Sequence, residues 1–320
     1  MIILSDRDVG ELLSPRELIP AIEAAVRRYD EGHGVVPPRQ HLDWSGNTLL
    51  TMPAATAEAI GTKLVAVMPG NSARGLPVTN GLMILNDAQT GLPLAILSAA
   101  ALTARRTGAI GAVATRYMTP ADLDTVGIIG VGVQGTWQAI FTCCMRPIRE
   151  VLYISRSSAS AEGFLAALSE HAPGVRVTRC ASTGDLLARA SLIITATPAA
   201  EPVVPDDPAL LQGKHFASVG SFRPTMQELP DSVYRLAGEL VIDSDAARHE
   251  VGDVIGPVER GVLNAKDVFS VGQLVTGRRS VDVQATTAYK SVGMALYDLI
   301  AAQVAYSAAK LRGIGREIEL

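Results

Sequence analysis

The residues best suited to chemistry lie at 125–137, TVGIIGVGVQGTW. A short apolar run, Val126 to Ile129, ends in Gly130-Val131-Gly132-Val133-Gln134-Gly135 and leads into a helix-compatible segment. This is the G-x-G-x-x-G pattern in the context it needs, a strand turning tightly into a helix. Gly130 permits the turn, Gly132 has no side chain to keep a pyrophosphate from the backbone, and Gly135 lets the helix pack close on the strand. The amides at the helix start, those of Val133 and Gln134 included, can then hold phosphate. The chemistry implied is that of a nicotinamide dinucleotide.

The second strand indicates which dinucleotide. An acid at its end would bind the two ribose hydroxyls of NAD. Residues 151–158 read VLYISRSS and contain no acid. Arg156 supplies positive charge, and Ser155, Ser157 and Ser158 supply hydroxyl donors. That combination suits the 2′-phosphate of NADP, so NADPH is expected to be preferred over NADH. Thr195-Ala196-Thr197-Pro198 closes the fourth strand and is expected to approach the nicotinamide ribose.

Other classes of function find little support. The net charge of −4 gives no general attraction to nucleic acid or anionic lipid, and aromatics at 4% provide no stacking platform. Cys143, Cys144 and Cys180 lack metal-ligand spacing and read as reduced core thiols of a cytosolic protein. The N-terminus has an apolar start without the basic region of a signal peptide, and no apolar run approaches the ~20 residues of a membrane span. No serine lies in a nucleophile elbow.

The elements that must position these residues follow from pattern. Strands are expected at 125–129, 150–155, 175–180, 192–196, 215–220 and 240–243, with helices at 134–145, 159–171 and 183–190 between them. This βαβ series predicts a doubly wound, mostly parallel sheet of the Rossmann type, over residues 121–292, with the cofactor across the strands' carboxyl ends. The first 120 residues differ. Ser14, Pro15 and Glu17 open a helix over 14–30 with a capping box. Strand-like runs follow at 47–52, 61–68, 81–86 and 92–97, with a hairpin turn at 87–91. A helix over about 98–118 leads to Thr119-Pro120, the expected boundary. A last helix, 286–311, carries Tyr289, Val292, Leu296, Leu299 and Ile300 at core spacing and is expected to return to the N-terminal part. Residues 1–120 and 293–320 thus form a second, α+β domain.

In their order, several motifs resemble the ornithine cyclodeaminase/μ-crystallin family over nearly the whole chain. They are Pro37-Pro38-Arg39, Met52-Pro53-Ala54, Gly61-Thr62-Lys63, Leu102-Thr103-Ala104-Arg105-Arg106-Thr107, the glycine turn with Gln134, Glu228-Leu229 and Lys290-Ser291-Val292-Gly293. The resemblance implies a homodimer whose N-terminal halves share a closed β-structure, with the substrate between that part and the Rossmann domain. It also implies that Arg39, Lys63 and Arg106 face the substrate, that Met52 and Phe222 border it, and that Thr107 and Ser221 touch the cofactor. The residue chemistry agrees: guanidinium groups hold the carboxylate of an amino or imino acid, and a lysine flanked by arginines has a lowered pKa and can exchange a proton. Arg105, about 100° around the helix from Arg106, reads as a surface charge, and Glu228 as a brace for a loop.

The departures matter as much. Cyclodeaminases of the family carry an aspartate in the loop after the fifth strand, where this chain reads Ser218-Val219-Gly220-Ser221-Phe222-Arg223-Pro224. Phe222 cannot take a proton, so the loop resembles those of ketimine reductases. Ser98-Ala99-Ala100 replaces an acid-glycine pair found in many members. The expected activity is NADPH-dependent reduction of a small cyclic imine bearing a carboxylate, Δ1-pyrroline-2-carboxylate or its six-membered relative. An NAD(P)-dependent open-chain amino-acid or N-alkyl-amino-acid dehydrogenase is the alternative; ornithine cyclodeamination and a non-enzymatic binding role come after it.

Overall fold

In the computed structural model, which describes residues 1–319, only half of the capping box expected at Ser14 forms, because the Glu17 carboxylate takes the Ser14 hydroxyl instead of the Ser14 amide. The Ser14 hydroxyl accepts from the Glu17 amide, Pro15 takes the first helical position, and the helix Pro15–Asp30 follows. A shorter helix, Asp6–Leu12, precedes it on a capping box of Ser5 and Asp8.

The chain forms two compact units. One comprises Met1–Arg106 and the segment from Met294 onward; the other is Thr107–Gly293. The division falls inside the helix Ala99–Met118, not at Thr119-Pro120. Proline marks where a helix must stop, whereas this uninterrupted helix changes packing partners earlier. It is buried on most sides, and Arg105 is buried with it, donating to the Ala101 carbonyl and lying against Gly10. The expectation of a surface charge there fails because the side of the helix that carries Arg105 packs against the helix Asp6–Leu12 and not against water.

The first unit holds a seven-stranded sheet in the order Arg316–Glu317, Ile2–Leu4, Pro93–Ser98, Thr79–Asp87, Ala59–Val67, Asn47–Ala55, Gln40–Trp44. Among the described residues of this sheet, Ile2–Leu4 and Pro93–Ser98 are the one pair that runs parallel. The two terminal strands are too short to show a period and were not predicted. The expected turn after Asp87 is present, its carboxylate accepting the Gln89 and Thr90 amides. Met52, Lys63, Met83 and Leu97 lie in one register across four strands and are all buried. The helix Ala295–Arg312 packs on that face, with Leu299 against Gly61.

The second unit is a doubly wound Rossmann-type sheet of eight strands, all parallel. Their order is Arg176–Arg179, Glu150–Ile154, Thr125–Ile129, Leu192–Thr195, His215–Ser218, Thr287–Lys290, Leu240–Ile242, Val268–Ser270. Helices Val133–Met145, Ser158–His171 and Thr183–Arg189 connect the first four strands in chain order. The α/β class is as predicted, but the C-terminal segment is corrected. Residues 286–294 are not helical: Thr287–Lys290 is an inserted strand, Gly293 takes φ +77° to end the turn after it, and the helix starts at Ala295. Thr286, Thr287, Tyr289 and Val292 are β-branched or aromatic, a composition that favours a strand buried on both faces. The cysteines also differ from expectation: Cys180 is buried, Cys143 half-buried and Cys144 exposed. Among the described residues no helix is long and apolar enough to cross a membrane.

Candidate active site

In the first unit, alternation along Ala59–Val67 turns Lys63 to the buried face of the sheet. A charge there needs a partner. Asp298, in the first turn of the helix Ala295–Arg312, supplies it, its Oδ2 lying 2.8 Å from the Lys63 ammonium. Its Oδ1 accepts from Arg106 Nε at 2.8 Å. All three residues are buried. Burial lowers the Lys63 pKa to about 8; Asp298 opposes that shift, while Arg106 and Arg39 add to it. Burial alone would raise the Asp298 carboxyl, but Arg106 and Lys63 outweigh it and hold the group below its ordinary value. Among the described residues neither Nη of Arg106 has a hydrogen-bond partner. Met52 is buried in the strand beside Lys63, and Arg39 is half-buried just before the edge strand.

Asp298 has no precedent in the sequence reading. An acid in a first helical turn is ordinary, since it complements the helix dipole. Only the fold reveals that it is enclosed and faces two cations.

The second unit places the predicted dinucleotide residues at or just beyond the carboxyl ends of its strands, except Thr107, which lies in the helix Ala99–Met118. Gly130 takes φ +93°, and a Cβ there would meet the Ala196 carbonyl at 2.6 Å. A Cβ at Gly135 would lie 2.0 Å from the Gly130 oxygen, whereas one at Gly132 would meet nothing within 4 Å. Two glycines are thus needed by the chain's own packing. The third, at the N-cap of the helix Val133–Met145, opens a cradle. Among the described residues, the buried side-chain oxygen of Gln134 has no hydrogen-bond partner, and neither does that of Thr195, which is fully enclosed. The residues present fit a dinucleotide pyrophosphate.

At the end of the second strand, the Ser155 hydroxyl donates to the Ser157 carbonyl and accepts the Ser157 amide, leaving Arg156 exposed. The Arg179 guanidinium donates to the Ser155 carbonyl from the neighbouring strand, a second cation that the sequence reading missed. Thr107 is buried, its carbonyl accepting from Gln138.

A buried polar network braces the loops that follow the fourth and fifth strands. Glu228 Oε1 accepts the amide and hydroxyl of Thr197; its Oε2 accepts the amides of Gly220 and Ser221 and faces the Ser218 hydroxyl. Asp253 Oδ1 accepts the Glu228 and Leu229 amides and the Tyr234 hydroxyl, and its Oδ2 accepts from Ser221. Burial and the Asp253 carboxylate push the Tyr234 hydroxyl well up, so it remains a donor. Lys290 donates to the Ser218 hydroxyl and the Ser221 carbonyl, with Asp253 Oδ2 at 3.7 Å. Glu228 has the bracing geometry the sequence suggests. Ser221 is fully enclosed, and Phe222 beyond it is exposed beside Arg223.

Comparison with known proteins matches the whole chain. The model of the ornithine cyclodeaminase/mu-crystallin family covers residues 1–312. A Delta(1)-pyrroline-2-carboxylate reductase of Bacillus cereus is 35% identical, over 100% of both chains. The structure of Thermococcus litoralis Delta(1)-pyrroline-2-carboxylate reductase in complex with NADH and L-proline has a TM-score of 0.92 at 32% identity, covering 99% of this chain and 100% of that one. An archaeal alanine dehydrogenase dimer with bound NAD has a TM-score of 0.91 at 29% identity, covering 100% of this chain and 99% of that one.

Proposed function

Since the chain belongs to the ornithine cyclodeaminase/mu-crystallin family, we propose that it is an NAD(P)H-dependent oxidoreductase of C=N bonds that reduces cyclic imines bearing a carboxylate. Its substrate is Δ1-pyrroline-2-carboxylate, yielding L-proline, with Δ1-piperideine-2-carboxylate, yielding L-pipecolate, as the six-membered relative. The observation that carries this reading is a buried cluster with an unused guanidinium edge next to a lysine of lowered pKa. Arg106 offers both Nη groups to a carboxylate through two parallel hydrogen bonds, and Arg39 adds a further charge. Lys63 protonates the imine nitrogen; with a pKa of about 8 it is mostly charged at neutral pH yet gives up its proton more readily than an ordinary lysine. A nicotinamide bound by the second unit supplies hydride for the imine carbon.

In this reading the first unit is the substrate-binding and dimerisation domain, and the protein is a homodimer, as the alanine dehydrogenase relative is described. Gly130, Gly132, Val133 and Gln134 hold the pyrophosphate; Thr107, Thr195, Ala196, Thr197 and Ser221 serve the nicotinamide end. Ser155, Arg156 and Ser157 favour NADPH over NADH, with Arg179 as additional positive charge. Met52 and Phe222 border the substrate, and Phe222 provides no base for cyclodeamination.

A screen of NADPH oxidation across cyclic imines and 2-oxoacid/amine pairs tests the proposal. Fastest turnover is expected with the five-membered imine. Equal or faster turnover with pyruvate plus ammonia establishes instead the open-chain dehydrogenase that the second structural relative suggests. Ammonia release from ornithine without an added electron acceptor reinstates cyclodeamination.

A further inference from the structure

We propose that Asp298 is a positioning residue of the reduction site, a shared counter-ion that fixes the Lys63 ammonium and the Arg106 guanidinium relative to one another. The proposal rests on the imine-reduction reading above. Three observations carry it. Asp298 is 0% exposed and uses a different carboxylate oxygen for each cation, both at 2.8 Å. It engages Arg106 through Nε, so the planar Nη edge stays open to a second carboxylate. And the cluster is not neutral by itself: two buried cations face one buried anion, with half-buried Arg39 near enough to act on Lys63. A purely structural ion pair in a core comes matched, because an uncompensated buried charge is costly. The missing negative charge is the substrate carboxylate.

The groups facing Lys63 are Asp298 from the C-terminal helix, Arg106 from the helix Ala99–Met118, and Arg39 from the segment before the edge strand. Of these only Asp298 favours the charged lysine. Without it, the two arginines and burial all act in the opposite direction, and the proton donor is emptied near neutral pH.

The protein contains five lysines, so Lys63 can be followed by NMR of the full chain carrying lysine labelled with 13C at Cε, its signal assigned by loss in Lys63→Met. The wild-type midpoint is expected at about 8. In Asp298→Asn it falls by about one unit or more, the effect of removing an adjacent opposite charge. The alkaline limb of kcat for the cyclic imine moves down with it. Asp298→Glu keeps the charge and displaces it, so the limb stays near its wild-type pH while kcat falls about tenfold or more. These last two readouts, with the wild-type titration, remain available if Asp298→Asn does not fold. A soluble Asp298→Asn protein with an unmoved Lys63 midpoint, a wild-type midpoint in the ordinary lysine range, or full turnover by Asp298→Glu each overturns the proposal. Absence of turnover with every cyclic imine, alongside the expected titration, overturns instead the imine-reduction reading and leaves the shared counter-ion in place.

Discussion

Lys63 and Arg106 touch the same carboxylate but are asked to do different things, and kinetics should separate them. Lys63→Met keeps chain length and removes the ammonium. A positioned acid contributes about 10²–10⁴ in rate, so kcat should fall by that factor while the affinity for NADPH, measured by fluorescence titration, barely changes. Arg106→Met should act chiefly on the imine KM, because a carboxylate clamp holds ground and transition states alike. The sign of the pH dependence follows from the proton's direction of travel. Lys63 must be charged to donate, so wild-type kcat should decline above a pH of about 8. That alkaline limb should vanish in Lys63→Met. At the other end of the reaction, Arg156→Asp replaces the exposed guanidinium with a carboxylate. It should raise the KM for NADPH relative to that for NADH, measured as the ratio of the two in steady-state assays; an unchanged ratio would show that Arg156 does not discriminate between the two cofactors. The lysine and both arginines of these variants were legible in sequence motifs. Asp298 was not: its partners lie 192 and more residues away, and an acid in a helix's first turn is already accounted for by the helix dipole.

At the level of elements, the glycine turn separates residues that serve folding from those that serve a ligand. Gly135→Ala drives a methyl into the Gly130 carbonyl. The backbone must shift, which costs about 1–3 kcal/mol and should lower Tm by several degrees. Gly132→Ala meets no atom and sits at φ −70°, where alanine is at ease. Its Tm should match the wild type, while its affinity for NADPH drops tenfold or more, since the methyl occupies the approach of the pyrophosphate. Calorimetry and fluorescence titration read the two effects independently. Most of the second unit was legible because each βαβ step repeats one pattern: an apolar run, a turn and an amphipathic helix. The failure at 286–294 has a physical cause. A strand buried on both faces lacks alternation, and Tyr289, Val292, Leu296 and Leu299 happen to continue a helical spacing across Gly293. The turn there is held by Asp243, which accepts the Ser291 hydroxyl and the Val292 and Gly293 amides. No local pattern announces a partner nearly fifty residues away.

At the scale of the whole molecule, the sheet of the first unit has an apolar face that its own chain does not finish covering. One face, through Met52, Met83 and Leu97, is buried. The other carries Leu49, Leu64, Leu82, Ile84 and Ile60, with Leu82 still 49% and Ile60 45% exposed. The outer strand Gln40–Trp44 is exposed along its length, Leu42 at 62%, and its free edge carries no strand partner among the described residues. An antiparallel sheet can leave one face to water when that face is polar; here it is not. A twofold-related second copy covers such a face and such an edge with one self-complementary surface. Light scattering at micromolar concentration should therefore give twice the chain mass of 33.6 kDa. Leu82→Asp should shift the protein toward monomer, because burying an unpaired carboxylate in the contact costs more than the contact gains. The fold of each unit should survive that change, since Leu82 lies outside the buried core, and circular dichroism should be unaltered. A wild-type monomer, or a Leu82→Asp dimer of undiminished affinity, would show that this apolar face stays open in solution and that the second copy is not what covers it.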